Sequence, residues 1–382
     1  MKVRIRLFSA VLALCLITGG CGGPASVTRP TESQIAPTES QTAPTAATQA
    51  TTPNPVVTEP TAEEFVLSFA GDCTFGDNFD DTSKSGTFCT VVKENYDYPL
   101  SNVKPFFDND DFTFVNLECA LTASDPTEEE MEELKDNHFR FRGPASYAKI
   151  LVSGGVEFAS CANNHSKDYG KQGLYDTWAA LEAEKVHYAS FGKTCMAKTD
   201  SGLTIGVIAA FFYFGETEIR NQIQALRKQG AEIVVVSVHW GDEGTYSPNQ
   251  TQQTLGHRAI DAGADIVYGH HSHTLQRIEP YRGGIIYYSL GNFSFGGNRN
   301  PRDKDTAIIR QKVLRYEDGT VALGDLEIIP CRVSTSDTWN DYRPTPYEKD
   351  HPGYDRVFQK LEGSYDGKDL TVSYPTLPEQ AK

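Results

Sequence analysis

Five apolar runs, each ending in a group of polar residues, constrain the fold of this chain more than any other feature. The polar groups are GD at 71–72, NLE at 116–118, ANNH at 162–165, HW at 239–240 and GHHSH at 269–273. The runs read as strands that alternate with helices, which indicates a layered α/β architecture. In open α/β sheets, ligands bind beyond the carboxyl ends of the strands. The sequence therefore predicts an α/β fold in which five distant segments converge on one site.

The periodicity of apolar residues places the individual elements. We expect strands at 65–70, 112–117, 156–160, 204–211, 233–238 and 265–268, and helices at 144–152, 173–185, 216–228 and 250–262. The first strand is expected to stop at Gly71-Asp72. Three later segments, 284–290, 308–316 and 320–329, are predicted to be antiparallel strands, the last two joined by a turn.

The amino terminus has the order of an export signal. MKVRIRLFSAVLALCLITGGCGG begins with basic residues, continues with an apolar run too short to span a bilayer, and places small residues before Cys21. We predict a lipoprotein signal peptide over residues 1–21 that is acylated at Cys21, with an ordinary secretion signal as the alternative. The prediction places the protein at the cell membrane, lipid-anchored on the extracellular face.

The next segment, residues 22–62, is rich in Thr, Pro, Ser, Gln and Ala. It has too little apolar mass to offset the entropy of ordering, so we predict a disordered tether. A glycosylated stalk is the alternative. A globular domain is expected over residues 63–334, followed by a C-terminal extension, residues 335–382, without a predicted structure.

Charge and cysteine content narrow the partners and the chemistry. The net charge of −16 excludes nucleic acid as the expected partner. The six cysteines of the globular part contain no C-x-x-C pair, which argues against a zinc ribbon. An exported protein can pair its cysteines, and the sequence leaves open whether these six do.

The polar residues at the strand ends are oxygen and imidazole donors. This mixture suits Mn, Zn or Fe better than Ca or Mg. His271 and His273 are two residues apart, so on an extended chain both rings face one site while His270 turns away. The sequence thus predicts a site for a divalent metal.

Six segments together resemble the CapA (PgsA-like) family of capsule and poly-γ-glutamate synthesis proteins: FAGDCTFGD, FVNLECALT, SCANNHSKDYG, VVVSVHWGDE, GADIVYGHHSHTLQRIEPY and IIYYSLGNFSFG. The resemblance runs from about residue 65 to 295. That family is similar to calcineurin-like metallophosphoesterases. The resemblance implies a four-layer α/β sandwich of the metallo-dependent phosphatase type with one or two metal ions, on a domain outside the cell.

The resemblance also implies roles for individual residues. The metal ligands would be Asp72, Glu118, Asn164, His239, His271 and His273, with Asn116 a less favoured alternative to Glu118. Asp72 and His165 would be catalytic, and His165 would protonate the leaving group.

Two further residues are candidates for substrate binding. Arg142, with Arg140, could hold an anionic substrate; alternating surface charge is the other interpretation. Asn292 would contact substrate or orient a ligand histidine, unless it only forms a turn.

The sequence departs from the phosphoesterase pattern at its first motif. Asp72-Cys73-Thr74 stands where D-x-H is usual, so one metal position is left with Asp72, Glu118 and His273. Catalysis is therefore open. We expect a protein of capsule or poly-γ-glutamate synthesis or export that is a metal-dependent hydrolase; the alternative is a non-catalytic tethered accessory or polymer-binding lipoprotein. Its partners would be the membrane and, in either case, a polymer synthase or export complex and the anionic polymer.

Overall fold

The computed structural model describes residues 61–81, 84–135 and 137–370. The predicted signal peptide, Cys21 and all but the last two residues of the predicted tether lie outside the described residues. None of the described helices is long and apolar enough to cross a membrane.

The described part of the chain alternates strands and helices. The strands are β1 (Ala62–Thr74), β2 (Asp77–Asn78), β3 (Phe112–Leu117), β4 (Ala120–Leu121), β5 (Phe141–Gly143), β6 (Phe158–Ser160), β7 (His187–Ala189), β8 (Cys195–Lys198), β9 (Thr204–Phe211), β10 (Ile233–His239), β11 (Ile266–His270), β12 (Ile278–Tyr281), β13 (Gly284–Tyr287), β14 (Asn292–Phe295), β15 (Asp305–Tyr316), β16 (Val321–Arg332) and β17 (Thr345–Pro346). The helices are α1 (Phe88–Val92), α2 (Lys104–Phe107), α3 (Glu128–Glu133), α4 (Ala148–Gly154), α5 (Gly170–Ala183), α6 (Glu216–Lys228), α7 (Gln250–Asp261) and α8 (Pro352–Glu362).

Two large sheets form the centre of the domain. Sheet I has the strand order β17-β16-β15-β1-β3-β6-β7, with β14 pairing beside the end of β1, and sheet II has the order β12-β13-β11-β10-β9-β8. The strands β1, β3, β6 and β7 of sheet I run parallel, as do β9, β10, β11 and β13 of sheet II. A small sheet, β2-β5-β4, lies apart from both.

The inner faces of sheets I and II pack against each other. Leu67 and Phe114 of sheet I share one buried cluster with Val235 and Tyr287 of sheet II. Successive residues of a strand point to opposite faces, so the alternate positions of the same strands face outward.

Helices cover both outer faces. Val115 of sheet I packs in a second cluster with Ile150 of α4, and Val236 of sheet II packs in a third with Ile223 of α6 and Leu255 of α7. The layer order is helix, sheet, sheet, helix. The predicted four-layer α/β sandwich is confirmed.

Several predicted elements are reproduced to the residue, among them β3, β9 and α6. The predicted end of the first strand is wrong, because β1 continues to Thr74 through an irregularity between Phe69 and Asp72. At that irregularity, a side chain on Gly71 would lie 2.0 Å from the Gly291 carbonyl oxygen, so only glycine permits the close approach. The prediction that 284–290 is antiparallel is incomplete, since β13 is antiparallel to β12 and parallel to β11.

The described part of the predicted extension packs on the domain. β17 pairs with β16, and Val357 and Leu361 of α8 belong to the core between the sheets. Lys360 of α8 is 2% exposed, and its Nζ donates to Asp303 Oδ2 and Asp305 Oδ2, both at 2.7 Å. A buried ion cluster therefore fastens α8 to the start of β15.

The six cysteines of the globular part are free. None of them forms a disulfide bond within the described residues.

Candidate metal centre

The carboxyl ends of the parallel strands of both sheets bring the predicted ligands to one edge of the sandwich. Asp72 lies in β1, paired with Asn116 of β3 on one side and with Asn292 of β14 on the other. Glu118 follows the end of β3, and the backbone N–H of Glu118 donates to the Cys73 carbonyl at 2.8 Å. Asp72 and Glu118 are both 0% exposed.

The alternation of β10 explains why a buried strand ends in a histidine. Val234, Val236 and Val238 face the helices, whereas Val235 faces sheet I. His239 is in register with Val235 and is 1% exposed, so its ring enters the edge between the sheets.

His271 and His273 reach the same place by a different backbone route from the one predicted. Both lie in the left-handed region, with φ of 93° and 55°, so the expected extended backbone is wrong although both rings join the cluster. The prediction that His270 turns away is also wrong. His270 ends β11 on the face of Tyr268, and its Nδ1 lies 3.4 Å from Asp72 Oδ1.

Two triads of potential ligands share one carboxylate. Asp72, Glu118 and His273 form the first, and Glu118, His239 and His271 form the second; within each triad the ligand atoms lie within 4.8 Å of one another. Glu118 therefore stands where a carboxylate would bridge two positions. Asn116 does not, because its amide donates to Asp72 Oδ1 at 2.9 Å and its oxygen accepts from Asn163.

Most of the predicted ligands present a buried polar atom that has no hydrogen-bond partner within the described residues. These atoms are Asp72 Oδ2, both oxygens of Glu118, Asn164 Oδ1, His239 Nε2 and His271 Nδ1. Leaving such an atom unsatisfied costs about 1–3 kcal/mol, so native proteins rarely do so without a ligand. The donor set fits a divalent cation of the Mn, Zn or Fe type.

The electrostatics of the carboxylates point the same way. Burial, together with the charge of Asp72, raises the pKa of Glu118 well above its usual range. Burial alone would raise the pKa of Asp72, but the neighbouring His270 and His273, with Nδ1 atoms 3.4 Å and 3.5 Å from its oxygens, outweigh that effect and hold the pKa well below its usual range. Glu118, rather than Asp72, is thus the carboxylate whose negative charge is poorly compensated by the protein.

The three histidines among the predicted ligands differ in pKa because their surroundings differ. Burial, reinforced by His271, lowers the pKa of His239 well below its usual range, and burial with the nearby His273 lowers that of His271 to about 4. For His273 the effect of burial is overcome by Glu118 and Asp72, which raise its pKa to about 10. His239 and His271 are therefore neutral and ready to bind a metal, whereas His273 must lose a proton first.

Amide side chains orient the ligands from outside. Asn292 Oδ1 lies 2.8 Å from His273 Nδ1, an arrangement that keeps the hydrogen on Nδ1 and leaves Nε2 for a metal. Of the two predicted roles of Asn292, the described contact is the one with the ligand histidine. Asn163, which the sequence analysis left unassigned beside Asn164, donates to Asn116 Oδ1 and to the Leu117 carbonyl and so ties β6 to β3.

His165 is held by a buried acid. Its Nδ1 lies 2.7 Å from Asp168 Oδ2, which also accepts the backbone N–H of Phe141 at 2.7 Å. The Phe141 ring packs on the imidazole with centroids 4.3 Å apart. Because Asp168 accepts the hydrogen bond from Nδ1–H, Nε2 is the nitrogen of His165 that can exchange a proton with a substrate.

Arg142 lies on the other side of β5 from Phe141. Its Nη1 donates to Asp125 Oδ1 at 2.7 Å, and its guanidinium lies 4.3 Å from the centre of the Tyr169 ring. Arg140 stacks on Phe79 at 4.2 Å. These contacts do not test an interaction with substrate, so substrate binding by Arg142 stays a prediction.

Glu243 adds an exposed carboxylate to the edge. One of its oxygens lies within 4.8 Å of ligand nitrogens of His271 and His273. Its loop is fixed on both sides: the Gly244 N–H donates to the Ser272 carbonyl at 2.8 Å, and the Gly244 carbonyl accepts from the Leu370 N–H at 2.7 Å. A group bound at the metal centre would face this negative charge.

The family described as "Bacterial capsule synthesis protein PGA_cap" matches residues 66–211 and 196–297. The chain belongs to this family. Every predicted metal ligand lies inside the matched residues, and so do His165 and Asn292.

Two curated relatives match over most of their length. The capsule biosynthesis protein CapA of Bacillus anthracis is 29% identical over 297 residues, covering 71% of this chain and 68% of the relative. The PGA biosynthesis protein CapA of Bacillus subtilis is 28% identical over 281 residues, covering 68% and 70%. Among solved structures, the NAD nucleotidase of Haemophilus influenzae superposes with a TM-score of 0.40 at 11% identity, covering 84% of this chain and 67% of that one.

Proposed function

We propose that this member of the PGA_cap family is a metal-dependent hydrolase that acts in the synthesis or export of a capsule or poly-γ-glutamate polymer. The convergence at Glu118 is the observation that supports it. Two triads share that carboxylate, and the predicted ligands around it carry buried atoms without partners. The names of the Bacillus relatives support the link to capsule and PGA synthesis.

The chain's own residues supply the parts of a hydrolytic site. A divalent ion held by the two triads would act as a Lewis acid on a phosphoryl or acyl oxygen and would acidify water. His165 protonates the leaving oxygen through Nε2 as the bond to that oxygen breaks and water adds to the phosphorus or carbonyl carbon. Asp168, on Nδ1, stabilises the imidazolium before transfer.

Metal content and hydrolysis of a chromogenic phosphodiester test the proposal together. The chain without its predicted signal peptide should bind at least one Mn, Zn or Fe per molecule by elemental analysis. Asp72→Ala and His239→Ala should each lose metal and at least 100-fold in rate. His257→Ala is the matched control, because His257 pairs with Glu279 and stacks on Tyr281. A folded protein without metal would refute the proposal.

The first motif favours a second candidate, a non-catalytic accessory of a polymer synthase. Asp72, Glu118 and His273 give one position three ligands, and Thr74 stands where the usual histidine would be. In a strain that lacks the gene, a double variant His239→Ala/His271→Ala would then restore surface polymer as well as the native sequence does. Loss of polymer in that variant, at normal protein level, would favour catalysis.

For location we propose the outer face of the cell membrane, with Cys21 as the lipid attachment site. The proposal rests on the order of basic, apolar and small residues before Cys21. Metabolic labelling with a fatty-acid analogue should mark the native chain and leave Cys21→Ala unlabelled and released from the membrane.

A further inference from the structure

We propose that Phe212 forms a binding subsite for the sugar ring of a glycosyl phosphate whose phosphoryl group binds at the metal centre. The proposal rests on the proposed hydrolase function and names its substrate class. It starts from an aromatic residue that is both exposed and conformationally strained beside a metal-ligand histidine.

The backbone at Phe212 is unusual for a bulky side chain. Its φ is 56°, and the Tyr213 N–H donates to the Phe211 carbonyl at 2.7 Å, which closes a three-residue turn around it. Such turns with a positive φ are rare and strained, and a non-glycine residue enters this region at a cost. The Phe212 N–H donates to the His239 carbonyl at 2.8 Å, so the turn is fastened to a ligand-bearing strand.

Burial of the ring does not compensate for this strain. Phe212 is 44% exposed and the next residue, Tyr213, is 67% exposed. Strained residues concentrate at functional sites, where the surrounding structure imposes a conformation that the site needs. Single exposed aromatic rings are ordinary on a surface; the combination of strain and exposure at this position is not.

The ring stands at the metal centre itself. The Phe212 and His271 rings contact edge to face, with centroids 5.2 Å apart. Phe211, at 4.5 Å from Phe212, continues the aromatic wall to Phe191 at 6.0 Å, and the Lys167 ammonium lies 4.8 Å from the Phe191 ring centre. A group attached to a phosphoryl bound at the centre would meet an aromatic surface.

The charge and shape of this aromatic surface determine which class of ring it can bind. A bound metal would neutralise one phosphoryl group, but the exposed carboxylate of Glu243 beside His271 and His273 disfavours a poly-γ-glutamate chain that adds a further negative charge with every unit. A pyranose is neutral and presents a flat C–H face to one aromatic ring. A nucleobase is usually held between two parallel faces, whereas Phe211 meets Phe212 at 65°.

Kinetics with paired phosphomonoesters test the subsite. Glucose 1-phosphate carries the ring, glycerol 3-phosphate lacks it, and adenosine monophosphate carries a base. For Phe212→Ala, the ratio of kcat/KM for glucose 1-phosphate to that for glycerol 3-phosphate should fall at least tenfold. Tyr175→Ala, which removes a similarly exposed aromatic ring on α5, should leave the ratio as it is. An unchanged ratio in Phe212→Ala overturns the proposal, as does a loss confined to adenosine monophosphate.

A second pair of variants separates strain from ring contact. Phe212→Gly removes both the ring and the strain, whereas Phe212→Ala removes the ring alone. Glycine normally destabilises relative to alanine, but at this position Phe212→Gly should melt higher than Phe212→Ala, by about 2 °C. A lower melting temperature would show that the backbone at Phe212 is unstrained and would overturn the proposal.

Binding without turnover distinguishes failure of the subsite from failure of the hydrolase proposal. If none of the three esters is hydrolysed, saturation-transfer NMR with glucose 1-phosphate and the metal-loaded protein decides the subsite; the hydrolase proposal fails only if the chromogenic phosphodiester is not hydrolysed either. Transfer to the ring protons that disappears in Phe212→Ala supports it. Equal transfer in both proteins, or none in either, overturns it.

Discussion

Replacing Asn292 should weaken metal binding without touching a ligand. Asn292 Oδ1 is 2.8 Å from His273 Nδ1, and Asn292 and His273 are 1% and 6% exposed. Side chains that hydrogen-bond the second ring nitrogen of a metal-binding histidine typically contribute 10- to 100-fold to metal affinity. Asp72 Oδ2 lies 3.5 Å from the same nitrogen and would take over part of the role. For Asn292→Leu we therefore expect a loss of metal affinity at the low end of this range, about tenfold, which corresponds to about 1.4 kcal/mol of binding free energy.

Calorimetric titration of metal into the metal-free protein measures this effect, and a matched pair of variants isolates its cause. Asn292→Asp keeps an acceptor oxygen at nearly the same place and should bind metal at least as tightly as the native protein. Asn340→Leu removes another buried amide, one that donates to the Phe295 and Asn298 carbonyls, and should lower stability without weakening metal binding. Equal weakening in Asn292→Leu and Asn292→Asp would refute the orienting role.

Three other perturbations follow from the described contacts. His273, whose pKa is raised to about 10, must lose a proton to bind metal, so metal affinity should rise about tenfold from pH 7 to 8 in calorimetric titrations, and a flat profile would contradict this. Burial raises the folded-state pKa of Glu157 from 4.5 to about 7, so its ionisation lowers the stability of the fold increasingly as pH rises between these values. In urea unfolding, Glu157→Gln should therefore raise the free energy of unfolding by up to about 3 kcal/mol at pH 8 and leave it unchanged near pH 4. Lys360→Met removes the cation from buried Asp303, whereas Asp305 keeps its pairing with Arg356; it should cost about 3 kcal/mol in the same assay, and the exposed Lys349→Met should change little.

The parts of the fold with strong local periodicity were predictable. β9 and α6 carry their pattern within a few consecutive residues, and their ends match. The end of β1 was mispredicted because a glycine normally stops a strand, whereas Gly71 permits the Gly291 backbone to approach. That approach joins residues more than 200 positions apart, and no local pattern reports it.

The candidate site likewise has features that the sequence predicts and features that it does not. Which residue types gather at the strand ends follows from the sequence, but which way each one points depends on backbone detail. His270 carried a usable signal, because Ile266 and Tyr268 at alternate positions of β11 face inward. The left-handed backbone of His271 and His273 carried only a weak signal, since histidine is enriched in this conformation but adopts it far less often than glycine does.

The geometry of β1 has a consequence for where the chemistry takes place. The strand enters the domain at Ala62 and reaches the ligand edge at Asp72, ten residues later, a distance of about 33 Å. Ala62 and the ligand cluster thus lie at opposite ends of this strand, so a substitution near Ala62 should leave the cluster undisturbed.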